Sequence, residues 1–174
     1  MGIKARIAVT GRPGVGKTTL IQRVVERIPV VVGGMMTQEI RKCGVRVGFS
    51  VTDVGSGRAG TLAHLHQRTG PRVGRYRVNL HDLEQIGIEA IKRAIRACDL
   101  VVIDEIAPME LCSPLFIPVV EAALASAKAL LISTHAQVDH PLVHRIRQEL
   151  ELFRVKISNR DKLVDTVAKH FKVD

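Results

Sequence analysis

The chain has 174 residues, enough for one domain that buries roughly 70% of its unfolded surface and too few for two ordinary ones, so residues 1–174 are read as a single domain. No apolar run reaches membrane-spanning length, and Met1-Gly2-Ile3-Lys4 leads straight into the first expected strand, so a membrane anchor and a secretory leader are set aside and a cytoplasmic protein is expected; Cys43, Cys98 and Cys112, widely spaced and without a C-x-x-C pair, suit small buried residues in a reducing compartment rather than disulfides or structural zinc. The formal charge of +9 is uneven, because residues 1–78 hold 14 Lys/Arg against Glu26, Glu39 and Asp53 (+11), whereas residues 79–174 hold 12 against 14 acidic residues (−2), which directs polyanions to the N-terminal half.

Ile3–Thr10 reads as an apolar strand. It runs into Gly11-Arg12-Pro13-Gly14-Val15-Gly16-Lys17-Thr18-Thr19, and Leu20, Ile21, Val24 and Val25 then recur at helical spacing through Arg27. Strand, G-x-x-x-x-G-K-[ST] and helix together make a P-loop in its required context. The glycines let successive N–H groups turn inward around phosphate oxygens, and the helix beginning near Lys17 adds its positive dipole end and open amides. Lys17 is expected to reach the β- and γ-phosphates, and the Thr18 hydroxyl to ligate Mg²⁺.

Pro29 stops the first helix, and Val30-Val31-Val32 reads as a short buried strand. Met35–Arg41, a turn at Lys42-Cys43-Gly44, and Val45–Val54 read as a β-hairpin, with Val45, Val47, Phe49, Val51 and Asp53 alternating onto one face. The segment from Gly55 to Gly74 shows neither helical nor strand period, and its arginines make it the candidate for a mobile cover over the nucleotide. Arg75–Val78 reads as a short strand. An apolar stripe from Leu83 to Ala97 predicts a helix over Leu80–Ala97. Leu100-Val101-Val102-Ile103 is a continuous apolar run, as a parallel strand covered on both faces requires, and it ends in Asp104-Glu105.

Ser113-Pro114 is expected to cap a helix to about Ala125, Ala129–Thr134 to form another buried strand, and Asp139-His140-Pro141 to start a helix. Leu152–Ile157 reads as the last strand and Asp161–Phe171 as the last helix, with Ser158 or Asn159 as its cap. Alternating strands and helices predict an α/β fold with a mostly parallel central sheet flanked by helices, a phosphate site at the strands' C-terminal edge, and the hairpin as an addition.

Asp104 ends a strand that can lie beside the P-loop strand, where its carboxylate would hold Mg²⁺ opposite Thr18, and Glu105 is placed to orient or deprotonate an attacking water. Ser133 or Thr134 is a candidate γ-phosphate sensor. Arg12, Arg41, Arg58, Arg72 and Arg75 are equal candidates to meet the charge that develops in the transition state. His64-x-His66 and the trio His135, His140 and His144 match no catalytic zinc pattern.

The chain resembles the small nucleoside-triphosphatases known from thermophiles and, in vertebrates, as the cancer-related nucleoside-triphosphatase. The resemblance rests on the P-loop Gly11–Thr19, on Thr37-Gln38-Glu39-Ile40-Arg41 with Gly44-Val45-Arg46-Val47-Gly48-Phe49, on Val102-Ile103-Asp104-Glu105-Ile106-Ala107-Pro108-Met109-Glu110, and on Asn159-Arg160-Asp161. It implies a RecA-like domain and slow Mg²⁺-dependent hydrolysis of ATP, GTP and other nucleoside triphosphates. It gives Lys17, Thr18 and Asp104 the phosphate and metal roles, Glu105 the base role, and Asn159-Arg160 a place by the nucleobase. Gly34-Met35-Met36 stands where the family has an aromatic residue, and Ala107 where it has glycine.

Two other classes remain open in the sequence. In a nucleoside or nucleotide kinase, Arg58–Arg77 would be a lid and the γ-phosphate would pass to an acceptor. A nucleotide-switched module binding RNA or DNA would use the basic half, although no nucleic-acid motif and almost no aromatic platform are present.

Overall fold

Ile7 and Val9 of β1 (Arg6–Gly11) pack into one apolar core while Ala8, between them, packs into another. The same division runs through β7 (Leu100–Ile106), where Leu100 and Val102 oppose Val101 and Ile103, and through β8 (Ala129–His135), where Ala129 and Leu131 oppose Leu130 and Ile132. Successive strand side chains point to opposite faces, so a sheet covered on both faces demands unbroken apolar runs. The computed structural model, which describes residues 4–172, has this architecture. The expected start of the first strand at Ile3 lies outside the described residues.

The remaining elements, in chain order, are α1 (Lys17–Val25), β2 (Val32–Lys42), β3 (Val45–Asp53), β4 (Ala59–His64), β5 (Arg72–Val73), β6 (Tyr76–Val78), α2 (Leu80–Asp82) and α3 (Glu89–Ala97), then α4 (Phe116–Ala125), α5 (Pro141–Glu149), β9 (Glu151–Arg154) and α6 (Arg160–Lys169). A π-helical turn, Leu83–Ile88, joins α2 to α3, and its wider winding accompanies the consecutive burial of Ile86, Gly87 and Ile88. Helices α1 and α6 cover one core; the π turn, α3, α4 and α5 cover the other. No helix among the described residues is long and apolar enough to cross a membrane.

The sheet order is β5-β6-β4-β3-β2-β7-β8-β1-β9. Strands β2, β7, β8, β1 and β9 pair in parallel, and β3, β4, β6 and β5 extend the sheet antiparallel. The α/β sheet flanked by helices is as the sequence predicts, but the addition is four strands rather than one hairpin. Strand β2 joins the two regions, with Val32–Met36 parallel to β7 and Met35–Lys42 antiparallel to β3. The separate strand expected at Val30–Val32 is therefore the beginning of β2, and Val31 just before it is 59% exposed. Gly34 makes the close approach to β7: its φ is +117° and a Cβ there would lie 2.0 Å from the Val102 carbonyl oxygen.

Four other expectations change. The Gly55–Gly74 segment is not a loose cover, because Ala59–His64 is β4, whose Thr61 amide donates to Asp82 Oδ2 at 2.8 Å and whose Leu62 and Ala63 are buried. Along β3, Val51 and Asp53 are buried but Val45 is exposed at the hairpin tip, and the pairings shift register at Ile40/Arg41 and at Phe49/Ser50, which breaks the strict alternation. Cys43 is exposed in the hairpin turn, and Cys98 and Cys112 are half-buried rather than core residues. Asn159 does not cap α6 with its side chain: Oδ1 accepts from the Lys156 amide at 2.8 Å and Nδ2 donates to the Arg154 carbonyl at 3.0 Å, fastening the loop between β9 and α6.

Candidate active site

The P-loop bridges β1 and α1. Gly16, at φ +105°, is the residue from which α1 starts, and no side chain caps that helix end. Its first-turn amides have no intrahelical partners, so the end suits an anion. Lys17 is 6% exposed, and its Nζ donates to the carbonyls of Gly11 at 3.1 Å and Arg12 at 3.4 Å and lies 3.2 Å from Glu105 Oε2. All its contacts are oxygens, the atom type a phosphate offers.

Asp104 and Glu105 stand at the C-terminal part of β7. The β7–β8 pairing shifts between Ile103 and Ile106, so both acids leave that ladder. Asp104 is fully buried, its Oδ2 accepting from Thr18 Oγ1 at 2.7 Å and its Oδ1 from Ser133 Oγ. Burial pushes its carboxyl up to about 6, against the two hydroxyl hydrogen bonds and Lys17, with the charge of Glu105 adding to the rise. The sequence allowed β7 to lie directly beside the P-loop strand; instead β8 intervenes, and Ser133 of β8 is thereby the second residue holding Asp104. Of the two sensor candidates, Thr134 is buried with its hydroxyl unpartnered among the described residues, and Ser133 is committed to Asp104.

Lys17, Thr18 and Glu105 line a cleft of about 610 Å³ that extends from the P-loop to the β2–β3 hairpin. Gly14, Gly16, Pro13 and Thr19 also line it. Among the five arginine candidates only Arg41 does; Arg12, Arg58 and Arg72 are exposed and do not line the cleft, and Arg75 is held by the Tyr76 hydroxyl and the Arg46 carbonyl. Arg160 sits on the other side of the loop. Its Nη1 reaches the Val15 carbonyl at 3.4 Å, and it lines a smaller hollow of about 290 Å³ with Gly16, Thr19 and Arg23.

Two cleft residues had no role in the sequence reading. Arg46, on the outer face of the expected hairpin, donates to Glu39 Oε1 at 2.8 Å and stacks over Phe49 at 5.2 Å. Glu110 is 2% exposed, with Oε2 unpartnered, and burial beside Glu105 and Asp104 pushes its carboxyl well above the usual range. The only sequence signal for Glu110 was an acid following closely on the Asp104-Glu105 strand end.

A P-loop at one strand tip, and two acids at the tip of the strand two places away in a helix-covered sheet, define a P-loop NTPase fold. The family model described as "NTPase" matches residues 6–168, and the chain belongs to that family. It is 47% identical to the nucleoside-triphosphatase THEP1 of Methanosarcina acetivorans over 170 residues, covering 95% of this chain and 96% of that protein. The crystal structure of THEP1 from Aquifex aeolicus matches with a TM-score of 0.85 at 30% identity, covering 93% of this chain and 96% of that one. The solution structure of a human cancer-related nucleoside triphosphatase matches with a TM-score of 0.76 at 33% identity, covering 95% and 96%.

Proposed function

We propose that the chain hydrolyses nucleoside triphosphates to diphosphate and phosphate, with Mg²⁺ and with little preference among bases. The observation that carries this reading is the convergence of Lys17 and Thr18 from the P-loop with Asp104 and Glu105 from β7 in one cleft.

Thr18 and Asp104 fit the metal by donor chemistry: they are oxygen donors, and among the described residues no group of three or more His, Cys, Asp and Glu competes as a protein-only metal cage. Mg²⁺ keeps few protein ligands and completes its shell with water and phosphate oxygens. When bound, it would neutralise phosphate charge and orient the terminal phosphoryl group.

The chain's own groups do the rest. Gly11–Thr19 binds the phosphates through backbone amides, with Arg12, Pro13 and Val15 supplying the rest of the loop, and Lys17 neutralises the β- and γ-oxygens. Glu105 accepts a proton from water as its oxygen attacks the γ-phosphorus, and the bond to the β,γ-bridging oxygen breaks with its electron pair leaving on the diphosphate. Arg160 borders the side of the loop that the family resemblance gives to the nucleoside, in a hollow also lined by Thr19, Arg23 and Asp161, and the Asn159 side chain before it is held by the loop backbone. Arg41 is the remaining sequence candidate to meet developing charge.

The test is phosphate release from ATP, GTP, CTP and UTP with and without Mg²⁺. Release from all four that stops with EDTA is the expected result; no release from any, or release indifferent to the metal, overturns the reading.

A further inference from the structure

A water nucleophile needs little room, yet the cleft continues well past Glu105. Along the sheet order, β1 carries the P-loop, β7 carries the acids, and β2, β3 and β4 lie beyond them. On the nucleotide reading above, on which this inference rests, the nucleoside end lies on the Arg160 side and the terminal phosphate points toward β7. The far half of the cleft therefore lies beyond that phosphate.

Its chemistry is that of a built pocket. Phe49, Leu62 and Val73 give it an apolar floor, which hydrolysis does not use. Arg41 and Arg46 both line it and share the single carboxylate of Glu39, at 2.6 Å from Arg41 Nη2 and 2.8 Å from Arg46 Nη1, so the wall keeps a net positive charge. Glu110, which follows β7, also lines the cleft while only 2% exposed, and its Oε2 has no partner among the described residues. A buried polar atom without a hydrogen bond is costly, so a ligand group that pairs with it gains affinity.

We propose that this far half binds a small hydroxy acid as a phosphoryl acceptor: an alcohol with an apolar body against Phe49, Leu62 and Val73, an anionic group at Arg41 and Arg46, and a polar group on Glu110. The acceptor's hydroxyl oxygen bonds to the γ-phosphorus of the nucleotide while the bond to the β,γ-bridging oxygen breaks. The electron pair leaves on the nucleoside diphosphate and the hydroxyl proton passes to Glu105 and then to solvent. The products are a phosphomonoester and the diphosphate. Hydrolysis is the same displacement with water in the acceptor's place, and the two nucleophiles compete.

The experiment incubates the full chain with magnesium and γ-labelled ATP, adding pantothenate, mevalonate or glycerate, with panthenol as the uncharged comparator of pantothenate. Labelled ester is expected from pantothenate or mevalonate, and less from glycerate, which lacks the apolar body. A charge-assisted hydrogen bond is worth about 1.5–3 kcal/mol, so panthenol and the Arg46→Ala variant are each expected to lower the ratio of ester to free phosphate about tenfold or more. Val73→Trp, which fills the floor at a half-exposed position, is expected to lower that ratio similarly. Free phosphate without ester from any hydroxy acid overturns the acceptor site and leaves the hydrolase reading standing, as does transfer to panthenol equal to that to pantothenate. Neither phosphate nor ester overturns both.

Discussion

The Thr18 hydroxyl donates to the Asp104 carboxylate at 2.7 Å, although the two residues are 86 positions apart, one in the first turn of α1 and the other on β7, which does not pair with the P-loop strand β1. The bond holds the buried carboxylate on the P-loop side of the sheet. Thr18→Val keeps the volume and removes the oxygen. It is expected to raise the magnesium concentration needed for half-maximal turnover by about 100-fold, while Thr18→Ser retains most activity. A magnesium titration of phosphate release reads both.

Ser133 holds the other Asp104 oxygen. Ser133→Ala leaves that oxygen buried without its donor, and partners of this kind commonly contribute about 10–100-fold in metal affinity. The same titration is expected to shift by that factor, with the maximum rate at saturating metal changed far less.

Glu105 is 23% exposed in the cleft, which leaves it open to a water nucleophile. Glu105→Gln keeps the shape and removes the base. Turnover is expected to fall about 10²–10⁴-fold, with nucleotide binding retained in calorimetry. Lys17→Ala, by contrast, is expected to lower both.

Burial raises the carboxyls of Asp104, to about 6, and of Glu110, well above its usual value. An acid whose folded value is raised binds more protons in the folded chain. Its stabilising contribution is therefore full below the unfolded value near 4 and is lost as pH rises, through about 6 for Asp104 and further for Glu110. Without nucleotide or metal, the protein is expected to lose stability between pH 4.5 and 8, and Glu110→Gln to lose less of it. Urea unfolding at the two pH values checks the sign; a variant with the wild-type slope would place the loss elsewhere.

Gly34 has a φ of +117°, and a Cβ would collide with the Val102 backbone at 2.0 Å. Gly34→Ala is expected to cost about 3 kcal/mol or more, because strain in the backbone and separation of β2 from β7 add. A fall in urea midpoint without a change in the residual fold would measure it.

How much of this was legible in the sequence depends on the reach of the physics involved. The P-loop was legible in full as a motif, since its glycines, lysine and threonine follow one another within one turn between a strand and a helix. Asp104-Glu105 was legible as the end of an apolar run. The four-stranded antiparallel extension was not. Ala59-Gly60-Thr61-Leu62-Ala63-His64 lacks the alternation of a half-buried strand, and it is held by Asp82 and packed beneath the π turn. Nor could the sequence choose among five arginines. Exposure and orientation removed four from the cleft and introduced Arg46, whose contacts with Glu39, Phe49 and Tyr76 cross three strands.

By itself, then, the sequence determined the local motifs: a P-loop between a strand and a helix, two acids at the end of an apolar run, and strands covered on both faces. The tertiary structure alone decided that β8 stands between those strands and lends Ser133 to Asp104, and that the cleft runs on to Arg46 and an unpartnered Glu110. Motifs encode contacts that close within a few residues. Strand order and the walls of a cleft arise from pairings between distant segments, and periodicity along the chain carries no record of which strand becomes whose neighbour.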